Sequence, residues 1–113
     1  MTYPKIGNPT VLDEVAAERA RQDAQWGEQN HPDGSGPRVA HGSGIDYMEN
    51  HAKHARRVCQ GAAKDGTLTW RHILLEEIFE ALAEEDSAAL RTELVQVAAV
   101  AVAWAEAIDR RES

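Results

Sequence analysis

The stretch "EEIFEALAEEDSAALRTELVQ", residues 76–96, decides how this chain is read. It carries Glu76, Glu77 and Glu80, then a break at "EEDSA", then Glu93 at the head of a long apolar run. Ahead of the break, Leu74, Leu75, Ile78 and Leu82 recur at helical spacing, and Glu76, Glu77, Glu80 and Glu84 fall on the opposite side. Thr69 caps this helix, and Asp86 or Ser87 caps the next. The two are expected to be antiparallel neighbours joined by a tight turn.

The second of these helices is apolar nearly all the way round: Leu94, Val95, Val97, Val100, Val102, Trp104 and Ile108 point in every direction. Such a helix is covered on more than one side, which predicts a central position and, with its many alanines, a subunit interface. Glu93 and Gln96 share a stripe with Val97, Val100, Trp104 and Ala107, so both are expected to be partly buried. A carboxylate buried alone is costly and neutralises, pairs or coordinates a metal. Antiparallel packing brings Glu77 and Glu80 toward Glu93, and oxygens converging from two helices suit a hard cation such as Mg²⁺. An E-E-x-x-E segment is otherwise most often a solvated face. The expected burial of Glu93 is what favours a site.

The remaining periodicity is also helical, with no strand-like alternation, so the class is all-α. A first helix starts after "NPT" with Thr10 as cap, sets Leu12, Val15, Ala16 and Arg19 on one face, and runs out near Trp26 and Gly27. Residues 27–45, rich in glycine and proline, read as a long loop, either a lid or a connector. The next helix opens at Asp46 in a capping-box arrangement with Glu49 and ends near Asp65 and Gly66. Its apolar face is Tyr47, Met48, Ala52, Ala55, Val58, Cys59 and Ala62; Lys53, Arg56, Arg57, Gln60 and Lys64 fill the other.

At 113 residues the chain is expected to form one domain, 1–113, with an aliphatic, alanine-rich core that a partner subunit would help to complete. A net charge of −7 without a basic run argues against nucleic acid or an anionic membrane as partner. The lone Cys59 allows no intrachain disulfide, and "MTYPKIGNPT" lacks the regions of a signal peptide, so a cytoplasmic location is expected. The run from Leu94 to Ile108, interrupted by Gln96 and Glu106, reads as too short and too weakly apolar to span a bilayer.

The ordered set E-E-x-x-E, a spacer of twelve residues, then E-x-x-Q before a long apolar helix resembles the signature of the MazG-like all-α nucleoside triphosphate pyrophosphohydrolases. "ERARQDAQWGEQNHPD" and "TWRHILLEEIFEALAE" also look like stretches of phage and actinobacterial members, so the resemblance covers roughly residues 14–111. It implies a four-helix, MazG-type bundle completed by dimerisation. It also implies hydrolysis of a (deoxy)nucleoside triphosphate to the monophosphate and pyrophosphate, with Mg²⁺ as cofactor and Mn²⁺ as substitute. Glu77 and Glu80 match the family's first metal-binding pair, Glu76 the acid before it, and Glu93 the first residue of the second pair. Glu76 is then the candidate to orient or deprotonate the attacking water. Gln96 stands where the family has Asp; its amide oxygen can still ligate, but without charge.

Other candidates are weaker. His51 reads as a core histidine, and with His54 it lacks the further ligands of a zinc site. The E-x-x-H pairs of di-iron bundles are missing from the last two helices, which offer E-x-x-E and E-x-x-Q. Trp26 and Trp70, each at a junction of helix and loop, can stack on a nucleobase or anchor a helix end. Lys53, Arg56, Arg57 and Arg71 are candidates to hold phosphates, Arg71 being closest in sequence to the acids.

Overall fold

Helix α1, Val11–Trp26, starts where Thr10 can accept the Asp13 N–H at 3.1 Å while the Asp13 carboxylate accepts the Thr10 N–H at 3.1 Å. This reciprocal cap contributes about 1 kcal/mol. The helix stops at Gly27, whose φ of 67° suits glycine. The computed structural model describes residues 9–112, so the signal-peptide reading of residues 1–8 lies outside the described residues. The chain divides into two compact units, one holding the described residues through Pro32 and from Ala105 onward, the other Asp33–Trp104.

In the first unit, α1 buries none of its residues, and Leu12 and Val15 on its expected apolar face are exposed. Local ties along it join Arg19 to Asp23 and Arg21 to Glu18, both at 3.0 Å. Exposed helical pairs of this kind are worth a few tenths of a kcal/mol each.

The second unit begins with a correction to the expected structureless loop. Val39–His41 (β1) and Gly44–Asp46 (β2) pair antiparallel, with Val39 opposite Asp46 and His41 opposite Gly44. Gly42 takes a φ of 60° and Ser43 stays at negative φ, which fits a type II′ turn. Strands of three residues are too short to display an alternation. Upstream, the Gly36 N–H donates to the Leu82 carbonyl at 3.0 Å and the Ser35 hydroxyl to the Glu84 carbonyl at 2.7 Å. The segment therefore satisfies carbonyls at and just beyond the end of α3.

Helix α2, Met48–Asp65, has Tyr47 as its N-cap with no side-chain cap bond. The expected Asp46 capping box does not form, because the Asp46 carboxylate instead pairs with His51 Nε2 at 2.8 Å. Gly66, at φ 77° and ψ 18°, closes α2 as a left-handed cap, as its position implied. Helix α3, Trp70–Leu82, opens on Thr69, which exchanges cap bonds with His72. Helix α4, Ser87–Glu112, opens where Asp86 Oδ2 accepts the Ala89 N–H at 2.9 Å.

The core of this unit sits between α2 and α3. Met48, Ala52 and Ala62 are buried on α2, and Ala81, only 2% exposed, is buried on α3. Alanines at these positions let the two backbones run close together. On α4 the covered stripe is Leu90, Glu93, Val97, Val100 and Trp104, spaced three and four apart. Trp104 stacks on Trp70 with ring centroids 6.5 Å apart and planes at 11°, so α4 runs antiparallel to α3.

Two expectations for α4 are corrected. Leu94 and Val95 are 51% and 56% exposed, so one chain leaves a flank of the helix uncovered. As a whole, α4 is also long and apolar enough, by length and composition, to cross a membrane, since it extends beyond the Leu94–Ile108 run at both ends. Among the described residues the protein is nonetheless all-α in character, four helices with one short hairpin.

Candidate metal centre

The acid face of α3 does not look into open solvent. Cys59 and Arg56 of α2 reach it from one side and Glu93 of α4 from another. Glu77 and Glu80, three apart on α3, and Glu93 each bring one carboxylate oxygen within 4.8 Å of the others. All three are half-buried. Glu77 Oε2 and Glu93 Oε2 are shielded from solvent and have no hydrogen-bond partner. Acceptors in that condition cost free energy unless a cation or proton meets them.

The charge state follows from this geometry. Burial, then the neighbouring Glu80, Glu93 and Glu76, push the Glu77 carboxyl above its usual range. Burial also raises Glu93, helped by Glu80 and Glu84 and opposed by Arg56. Three oxygens of like charge converging at this spacing form a hard, oxygen-only donor set, which fits Mg²⁺ or Mn²⁺ completed by waters or phosphate oxygens.

Beside the acids lies an open cleft of about 270 Å³, lined by Glu49, Ala52, Lys53 and Arg56 of α2, by Glu80 of α3 with Ala83 and Glu84 after it, and by Glu93. Arg56 donates from Nε and Nη2 to Glu80 Oε1 at 3.3 and 3.0 Å. Glu84 Oε1 is held by the N–H groups of Glu85 and Asp86, both at 3.2 Å.

Of the residues singled out in the sequence, Glu77, Glu80, Glu93, Lys53 and Arg56 meet here. Glu76 does not join the convergent three; it accepts a hydrogen bond from the Cys59 thiol, whose pKa that bond and burial push up to about 11. Gln96 was expected to be partly buried but is exposed, one turn beyond Glu93 and outside the cleft lining, because the described residues leave that flank of α4 uncovered. Trp70 is engaged by Trp104, and Arg71 is exposed in the first turn of α3. Trp26 belongs to the other unit, where it is 58% exposed beside Gln29 and His31. His51 is no core histidine: half-exposed, it bonds Asp46 and stacks on Phe79 at 5.4 Å. The Arg56–Glu80 pair was not foreseen, since nothing in the sequence couples residues 24 apart.

No protein-family profile, curated protein or solved structure matches this chain.

Proposed function

We propose that this protein is a Mg²⁺-dependent nucleoside triphosphate pyrophosphohydrolase of the MazG-like all-α type, a four-helix domain completed by dimerisation and acting on the cytoplasmic nucleotide pool. The observation that carries this reading is the convergence of Glu77, Glu80 and Glu93, with two solvent-shielded oxygens that have no partner. A divalent cation bound there neutralises phosphate charge and lowers the pKa of water. The three carboxylates hold that cation, and Lys53 and Arg56, lining the same cleft, meet the phosphates. Glu76, next to Glu77 on α3, would orient or deprotonate a water.

A second reading, a catalytically weak nucleotide-binding module, is favoured by Gln96, which adds no charge and is exposed outside the cleft. Gln96→Asp separates the two: it raises turnover in a degenerate site and leaves it unchanged or lowers it in a site adapted to the amide.

The experiment is pyrophosphate release from a panel of NTPs and dNTPs with Mg²⁺ or Mn²⁺, run beside Glu77→Ala and Glu80→Ala. Metal-dependent release abolished by both substitutions supports the hydrolase. Absence of release from every nucleotide, with folded variants, replaces it by the binding module.

A further inference from the structure

Arg56 occupies a position that a divalent cation would contest. Its Nε and Nη2 both point at one oxygen, Glu80 Oε1, at 3.3 and 3.0 Å, so the guanidinium occupies one of the two oxygens of the acid that α3 presents to the cleft. The Glu80 side chain is 20% exposed and that of Arg56 50%, so the arginine lies over the carboxylate from the solvent side and has room to leave. Glu77 and Glu93, the other two members of the convergent set, keep their inner oxygens unpaired. Lys53 lines the same cleft with no hydrogen bond or ion pair to any of these acids.

We propose that Arg56 is the built-in counter-cation of the carboxylate site: guanidinium and divalent cation compete for Glu80, and Arg56 thereby sets the metal concentration at which the site fills. The inference rests on the metal-centre reading above. A half-exposed pair of this kind is worth roughly 0.2–1 kcal/mol, so its loss changes metal affinity by roughly 1.4- to fivefold.

The test is calorimetric titration of Mn²⁺ into the full chain without nucleotide, for the parent, Arg56→Gln, Arg56→Lys and Lys53→Gln. Arg56→Gln is expected to tighten Mn²⁺ by roughly 1.4- to fivefold and Arg56→Lys, which keeps the charge but loses the two-nitrogen contact, by less. Lys53→Gln removes one charge from the same cleft and is expected to change affinity less than Arg56→Gln. Equal tightening by Lys53→Gln, or unchanged or weaker binding in Arg56→Gln, overturns the competition while leaving the metal centre standing. Failure of the parent and every variant to bind Mn²⁺ overturns the metal centre itself, and this inference with it.

Discussion

Trp70 of α3 and Trp104 of α4 stack with centroids 6.5 Å apart, and that contact sets the register of the candidate site. Glu80 lies about 15 Å along α3 from Trp70, and Glu93 about 16 Å back along α4 from Trp104, at 1.5 Å of rise per residue. Nearly equal distances on antiparallel helices bring the two glutamates to the same level. The aromatic pair holds one end of the helix pair while the acids meet at the other.

Trp104→Ala is therefore expected to act on both stability and metal binding. Full burial of a tryptophan is worth more, but for this half-buried ring the loss is about 2 kcal/mol. Urea unfolding measures that part, and Mn²⁺ titration at a temperature where the variant is folded should show weaker binding. Unchanged affinity would mean that the stack does not position Glu93.

Stability without metal should fall as pH rises through the carboxylate range. Glu77 and Glu93 have pKa values raised above 4.5 in the native state, so the folded chain holds their protons to higher pH than the unfolded chain does. Stability they contribute is present below 4.5 and is lost as pH passes their raised values. The readout is the difference in unfolding free energy between the parent and Glu93→Gln across that window, which isolates one carboxyl from all the others. Mg²⁺ should oppose the loss at higher pH, where the ionised acids bind it. A parent that gains stability relative to Glu93→Gln on raising the pH without metal would contradict the geometry.

Cys59 should be a slow thiol. With its pKa pushed up to about 11 by the hydrogen bond to Glu76 and by burial, little thiolate exists at neutral pH. Alkylation by iodoacetamide in the native protein is expected to run well below the rate of a free cysteine. Glu76→Gln, which removes the acceptor charge, should speed it several-fold; equal rates in the two proteins would show that Glu76 does not hold the thiol.

Leu94 and Val95, exposed side by side on α4, are the natural place to test the proposed dimer. Sedimentation is expected to find a dimer for the parent and a shift toward monomer for Leu94→Lys, since a charge buried in an apolar interface is strongly unfavourable. A dimer of unchanged affinity would move the interface elsewhere.

The features legible in the sequence are those whose physics is local. Thr10, Thr69 and Gly66 were recognisable as helix ends because a cap is one side chain or one backbone angle acting within a few residues. Glu77 and Glu80 could be placed on one face because three residues nearly complete a turn, and Glu93 could be set opposite them from the shortness of the break before it. Gln96 shows where this kind of reasoning stops. It shares the helical stripe of Glu93, yet the neighbouring helix covers only part of that stripe.

Competition among possible partners, near or far in sequence, lay beyond reach as well. Asp46 carries the signal of a capping residue, but His51 takes its carboxylate. The β1–β2 hairpin has too few residues to show a period, and the contacts of Ser35 and Gly36 with the end of α3 join segments far apart in the chain. Helix class, the caps at Thr10, Thr69 and Gly66 and the spacing of the acids were determined by the sequence alone, because each depends on backbone geometry over a turn or two. Which acid faces which cation was decided only by the tertiary structure. Arg56 on Glu80 and Cys59 on Glu76 depend on how far α2 lies from α3, and that distance is set by packing across the whole interface.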